Sequence, residues 1–300
     1  MSRCVVFGSS GFTGRGFQRF VLGNDFARQL EFVWASRRTG ESADQGTVSL
    51  DVTDHEELTR FLIQYRPEYI INFAVKTAST DAHELMEVNA YFPLHLLNLV
   101  VDQGLKVRKI LLVGSAAEYG PDTSVPTEEH CPLMPCNLYG LSKRVQTETA
   151  AYFARVHDVP VCLARPFNIL DPSLPAKFAL PSFAQQINAA GTEGEIEVGN
   201  LAPRRDFLSL RDVMSAYALL LEKGRGGEAY NVCSGVSHSI ESLVKRMIEV
   251  SGKRITLRTN ESLFRSHEIM ESRGSNAKLK RETGWEPSDD IFDVVSELLR

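Results

Sequence analysis

Mostly apolar runs of four or five residues alternate with amphipathic stretches through the first half of the chain. Cys4–Phe7, Glu31–Ala35, Thr47–Leu50, Tyr69–Phe73, Lys109–Val113 and Val161–Ala164 are such runs, and each predicts a strand with both faces covered. Between them, Gly14–Leu22, Glu56–Tyr65, Ala90–Gln103 and Leu141–Val156 carry the spacing of amphipathic helices. Strand–helix alternation of this kind predicts a parallel sheet with crossover helices, an α/β doubly wound architecture. After Arg165-Pro166 the regularity weakens. Pro172, Pro175 and Pro181 punctuate a looser region read as the start of a smaller lobe. Further on, Asp212–Glu222, Ile240–Val250 and Ser275–Thr283 predict helices, and Ala229–Val232 a strand.

Composition narrows the class. With 300 residues, 43% apolar and 24% charged, the chain suits one large domain or two closely joined ones. A net charge of −5 argues against a nucleic-acid partner, which needs a basic face. No apolar run approaches bilayer-spanning length, so no membrane association is expected. The apolar start of the chain is short and flows into a glycine loop, which reads as a first strand rather than a secretion signal. A cytoplasmic protein is expected. The five cysteines and seven histidines show no metal-ligand spacing, and no metal site is expected.

The first strand runs into Gly8-Ser9-Ser10-Gly11-Phe12-Thr13-Gly14, followed by an amphipathic helix. Glycines let the backbone turn tightly and approach a pyrophosphate, whose charge sits at the helix N-terminus. The end of the second strand then selects the dinucleotide. An acid there would bind the adenosine ribose of NAD, whereas Ser36-Arg37-Arg38 offers guanidinium donors for a 2′-phosphate. NADP(H) is therefore expected in preference to NAD(H). Asp51-Val52, at the end of the third strand, provides an acceptor for an adenine amino group. Ala74, after the fourth strand, is small enough to let a cofactor approach the backbone.

Chemistry enters with Leu138-Tyr139-Gly140-Leu141-Ser142-Lys143. Tyr139 and Lys143, four residues apart, share one helix face. The ammonium is expected to pull the tyrosine pKa towards neutrality, making Tyr139 a usable acid or base beside a hydride donor. Ser115 lies between the glycine loop and this pair.

Together these features resemble the extended short-chain dehydrogenase/reductase superfamily, the NAD-dependent epimerase/dehydratase group, in its nucleotide-sugar-modifying branch. The likeness rests on the glycine loop, Asn72-Phe73-Ala74, Asn89, Gly114-Ser115-Ala116-Ala117-Glu118-Tyr119-Gly120 and the Tyr139/Lys143 pair. It continues through Arg165-Pro166-Phe167-Asn168, Arg205-Asp206-Phe207, Arg211-Asp212-Val213, Tyr230–Gly235 and Gly284-Trp285-x-Pro287. The late segments are most similar to GDP-4-keto-6-deoxy-D-mannose reductases and GDP-mannose 4,6-dehydratases. The resemblance implies a Rossmann-type sheet over residues 1–165, with a return around 206–235. Residues 166–205 and 236–300 would form a smaller substrate-binding lobe.

The resemblance implies that Ser115, Tyr139 and Lys143 are catalytic. Ser115 would bind the reacting sugar oxygen, Tyr139 would move the proton, and Lys143 would hold the nicotinamide ribose. It adds Asn89 to the cofactor site. Dehydratases of this branch carry an acid and a base at the two places held here by Ala116 and Ala117, so elimination is disfavoured. Glu118, one place later, is expected to be structural or substrate-orienting. Asn168 and Arg205 are implied at the sugar diphosphate, and Arg265 and Glu268 at the nucleotide ribose. What remains is NADP(H)-dependent reduction of a nucleotide-linked 4-keto sugar, GDP by likeness. A 4-epimerase is the alternative, ahead of a 4,6-dehydratase or a non-catalytic NADP sensor. A homodimer is common in the superfamily and is expected here; the Ala90–Gln103 and Leu141–Val156 helices offer it a face, although their apolar positions equally suit the core.

Overall fold

A computed structural model describes residues 1–37, 46–77, 79, 81–121, 123–264 and 268–300. Strand β1 (Ser2–Phe7) leads through the glycine loop into helix α1 (Phe12–Val21). β2 (Leu30–Ser36), β3 (Thr47–Ser49), α2 (His55–Tyr65) and β4 (Tyr69–Asn72) follow. After α3 (Ala82–Met86) the helical ladder widens to π geometry over Glu87–Tyr91, then resumes as α4 (Phe92–Asp102). Next come β5 (Lys109–Val113), α5 (Leu138–His157) and β6 (Val161–Pro166).

The strands pair side by side, all parallel, in the order β3-β2-β1-β4-β5-β6, and one more strand closes the far edge. Apolar runs are required because successive residues feed opposite layers. Cys4 and Val6 pack into one core while Val5 and Phe7 pack into the other, and Ile110, Leu111 and Leu112 alternate in the same way. Both faces are dry, as the doubly wound expectation demands. The order reverses between β1 and β4, so the glycine loop and the turn after β4 open a crevice at the carboxyl ends of the strands.

Beyond β6 the chain is more regular than its prolines suggest. It forms β7 (Asn168–Leu170), α6 (Ala179–Ala189), β8 (Glu193–Val198) and β9 (Arg204–Ser209). Pro181 falls in the first turn of α6, where a missing N–H leaves no helical bond unmade. Then come α7 (Leu210–Lys223), β10 (Ala229–Val232), β11 (Ser237–Ser239), α8 (Ile240–Ser251), β12 (Arg254–Thr259), β13 (Glu271–Ser272), α9 (Ala277–Thr283) and α10 (Ile291–Glu297). β10 is the strand that closes the large sheet beside β6. β9 instead pairs with β7, β11 and β13, so the return to the large sheet begins at α7, later than residue 206. α7 packs on α1, where Gly16 leaves room for Leu210: a Cβ there would lie 2.8 Å from Leu210 Cδ2.

Leu180, Phe183, Ile196, Val244, Met247 and Val295 build a separate small core under α6, α8 and α10. Two buried carboxylates tie the parts together. Asp212 accepts from the backbone N–H groups of Ser288 and Asp289 and from Ser288 Oγ. Asp206 accepts from the Ser234 N–H and Oγ and from the Gly235 N–H. Among the described residues no helix is long and apolar enough to cross a membrane, and no group of His, Cys, Asp or Glu is placed to hold a metal.

Candidate active site

The glycine loop is wound too tightly for side chains. Gly8 has φ +73°, and a Cβ on it would stand 2.5 Å from Ala74 N; one on Gly14 would stand 2.4 Å from Gly8 O. The first turn of α1 contains no acid, and its N-cap Gly11 makes no side-chain capping bond. A helix N-terminus left open in this way fits a pyrophosphate. At the end of β2, Ser10 Oγ and Ser36 Oγ are hydrogen-bonded, and Arg15 folds back onto Ser10 O. Arg37 is exposed beside them, while Arg38 lies outside the described residues. Asp51 uses one carboxylate oxygen on the Thr53 N–H and Oγ1, and Val52 is buried.

Asn89, expected at the cofactor, is held by the chain itself. Its side chain donates to Lys76 O (2.9 Å) and Ser142 Oγ (3.0 Å) and accepts from the Lys76 N–H (2.9 Å). It is fully buried and does not line the cavity described below. It pins the loop after β4 instead, and the widened helical turn is what carries it there.

Ser115 follows β5 and caps a single 3₁₀ turn, Ala116–Glu118, accepting from the Ala117 N–H at 3.1 Å. α5 begins directly opposite. Its N-cap Asn137 accepts from the Gly140 N–H at 2.8 Å, which sets Tyr139 in the first turn. Gly140 permits the approach, because a Cβ there would lie 2.3 Å from Ala117 O. Tyr139 thereby faces the same cavity as Ser115. One turn later Lys143, 1% exposed, donates to Val113 O (2.8 Å) and Gln146 Oε1 (3.1 Å).

The charge balance differs from the expected one. Burial pushes the Tyr139 phenol above its ordinary range; the Ser115 hydrogen bond pulls the other way and the Glu118 carboxylate adds to the rise. Burial also brings Lys143 down to about 8, against the Glu118 carboxylate. The expected depression of Tyr139 by Lys143 is not seen: burial dominates the phenol, and the ammonium is turned to Val113 O and Gln146. Tyr139 is a neutral phenol at pH 7 in this arrangement. A phenol in that state has a proton to give.

Of the two roles expected for Glu118, its contacts support the structural one. It is 0% exposed and does not line the cavity. One oxygen takes the Ser115 N–H (2.8 Å); the other takes Thr147 Oγ1 (2.7 Å) and Arg165 Nε (3.0 Å). Burial pushes its carboxyl above the ordinary range, while Arg165, Thr147 and the Ser115 N–H pull it back. A carboxylate so engaged neither touches substrate nor shuttles a proton to it.

A cavity of about 730 Å³ joins these pieces. Phe12, Thr13 and Ala74 line it at the glycine-loop end, with Ser115, Tyr139 and Lys143 at the centre. Asn168, Arg205 and Glu268 line it on the side of the smaller lobe. Asn168 Nδ2 donates to Asp206 O, and Asn200 Nδ2 donates to Glu268. Arg265 lies outside the described residues. The sequence reading missed Asn200, Gln186 and the apolar wall of Phe178, Leu180 and Phe183, because the proline-rich segment concealed α6. It also missed Tyr217, which reads as one more apolar position of an amphipathic helix.

Comparison with known proteins gives a consistent picture. The family model described as NAD dependent epimerase/dehydratase family matches residues 4–233. The chain is 31% identical over 243 residues to a GDP-6-deoxy-D-mannose reductase of Pseudomonas aeruginosa, covering 78% of this chain and 79% of that protein. It is 24% identical over 299 residues to a GDP-6-deoxy-D-talose 4-dehydrogenase of Aggregatibacter actinomycetemcomitans, covering 99% and 95%. The structure of RMD from Pseudomonas aeruginosa complexed with NADPH superposes with a TM-score of 0.85 at 26% identity, covering 100% of this chain and 96% of that one.

Proposed function

The chain belongs to the NAD dependent epimerase/dehydratase family, and we propose that within it the protein reduces the C4 ketone of a GDP-linked 4-keto-6-deoxy sugar with NADPH. One observation carries the reading: the open helix N-terminus, the Ser115–Tyr139–Lys143 cluster and the polar groups of the smaller lobe face a single cavity. The dinucleotide supplies the hydride. Ser115 hydrogen-bonds the ketone oxygen, and Tyr139 gives that oxygen its proton as it becomes an alkoxide. Lys143 keeps one N–H beyond its two protein bonds for the nicotinamide ribose. Arg205 meets the diphosphate, and Glu268 accepts from ribose hydroxyls.

Reduction is favoured over epimerisation because the basic, acid-free end of β2 favours NADP(H), the carrier of net reductions, whereas epimerases generally retain bound NAD. Elimination is disfavoured because Ala116 and Ala117 carry no proton and Glu118 is engaged with Arg165. NADPH is favoured over NADH by the Ser10–Ser36 hydroxyl pair and Arg37, with no acid at the end of β2. The NADPH in the Pseudomonas aeruginosa structure supports the same choice.

The test follows nicotinamide absorbance as purified protein, NADPH and a GDP-linked 4-keto-6-deoxy sugar are mixed. Stoichiometric NADPH consumption with formation of the 4-hydroxy sugar is expected. Isomerisation of a 4-hydroxy nucleotide sugar without net NADPH consumption would overturn the reading in favour of an epimerase.

A further inference from the structure

Tyr217 is a core residue with a hydroxyl that the core does not use. It sits on α7, 0% exposed, with its ring 5.6 Å from that of Phe73. Its oxygen has no hydrogen-bond partner among the described residues. Phenylalanine would fill the same volume without stranding a donor, and a stranded buried hydroxyl is a cost that folding alone does not repay. Tyr217 nevertheless lines the cavity described above, and its phenol is close enough to Tyr139 to be felt electrostatically. A second orphan, Asn72 Nδ2, belongs to another residue that lines the cavity, and the Ala74 N–H donates to its Oδ1.

The cavity's composition says which part of a dinucleotide this hydroxyl meets. Ser10, Ser36 and Asp51, at the adenosine end, do not line it; Phe12, Thr13, Tyr139 and Lys143 do. Tyr217 therefore stands along the stretch from pyrophosphate to nicotinamide. We propose that Tyr217 is a cofactor-binding residue whose hydroxyl donates a hydrogen bond to an acceptor oxygen of the nicotinamide mononucleotide half of NADP(H), on a wall of the site distinct from the Tyr139–Lys143 face. The assignment rests on the reading of this cavity as an NADP(H) site.

Tyr217→Phe tests it by equilibrium binding and thermal unfolding of the whole chain. NADPH, titrated by its fluorescence, should bind about tenfold more weakly, the loss of one neutral hydrogen bond. Adenosine 2′,5′-bisphosphate, which lacks the nicotinamide half, should bind as it does to the native protein. Without ligand the variant should melt at the native temperature or above, since an unpaired donor has been removed. Unchanged NADPH affinity overturns the assignment, as does an equal loss of adenosine bisphosphate binding or a lowered melting temperature of the free protein. A native chain that binds no NADPH fails the functional reading itself; native binding with an unaffected variant fails only the tyrosine.

Discussion

Removing the carboxylate of Glu118 separates a structural role from a chemical one. Glu118 and Arg165 are buried, with side-chain exposures of 0% and 4% and an Oε2–Nε distance of 3.0 Å. Glu118→Ala breaks that pair and also frees the Ser115 N–H and Thr147 Oγ1. Stranding one partner of a buried pair costs about 3–5 kcal/mol, so a loss of about 4 kcal/mol is expected. Glu118→Gln keeps one oxygen but sets an amide NH₂ where another acceptor is needed. About half the loss, roughly 2 kcal/mol, is expected there. Urea denaturation at pH 7 reads both, as a fall in midpoint at constant m-value.

The same pair predicts a recovery. Burial already weighs against the Glu118 charge, so replacing both partners, Glu118→Leu with Arg165→Met, should return most of the stability lost in Glu118→Ala. Activity should fall in all of these variants, because the Ser115 backbone loses its anchor. If instead Glu118→Gln kept native stability within about 0.5 kcal/mol while its kcat collapsed, the carboxylate would be acting on substrate and the structural assignment would be wrong.

Lys143 is held at about 8 from an ordinary 10.5, so the unfolded chain binds more protons between those values and stability should rise as pH climbs through that window. Lys143→Met should therefore stabilise the protein at pH 7, by up to about 3 kcal/mol, while destroying turnover; a destabilised variant would refute this. In the native enzyme, NADPH affinity should fall as pH rises through about 8, and a flat titration to pH 9.5 (roughly one and a half units above that value) would count against an ammonium role. Gly140→Ala places a methyl group against Ala117 O, 2.3 Å away, and should cut kcat about a hundredfold or more by parting Tyr139 from Ser115; unchanged kinetics would deny the contact its importance. Leu94 on α4 and Leu141, Tyr152 and Val156 on α5 are all more than 40% exposed, which supports a homodimer through these helices. Tyr152→Glu should give a monomer by analytical ultracentrifugation, whereas a native chain already sedimenting as a monomer would remove that expectation.

What the chain disclosed in advance follows from the range of the forces involved. β5 and β10 were legible to the residue, because strands packed between two layers are mostly apolar, and that demand is local. The glycine loop was legible for the same reason: contact with Ala74 N and with its own carbonyls leaves no room for other residues. α6 was not, since Pro181 reads as a breaker until its place in a first turn is known. The electrostatics were least legible of all. Four-residue spacing put Tyr139 and Lys143 on one face, but it could not show that Val113 O and Gln146 turn the ammonium aside, or that Lys143 is dry. Glu118 makes the same point from the other direction. Its distance from Ser115 along the chain suggested a group near the reaction, and Arg165, 47 residues away, is what takes it out. Proximity in sequence located the chemistry; the protonation states of its groups were set by contacts from other strands.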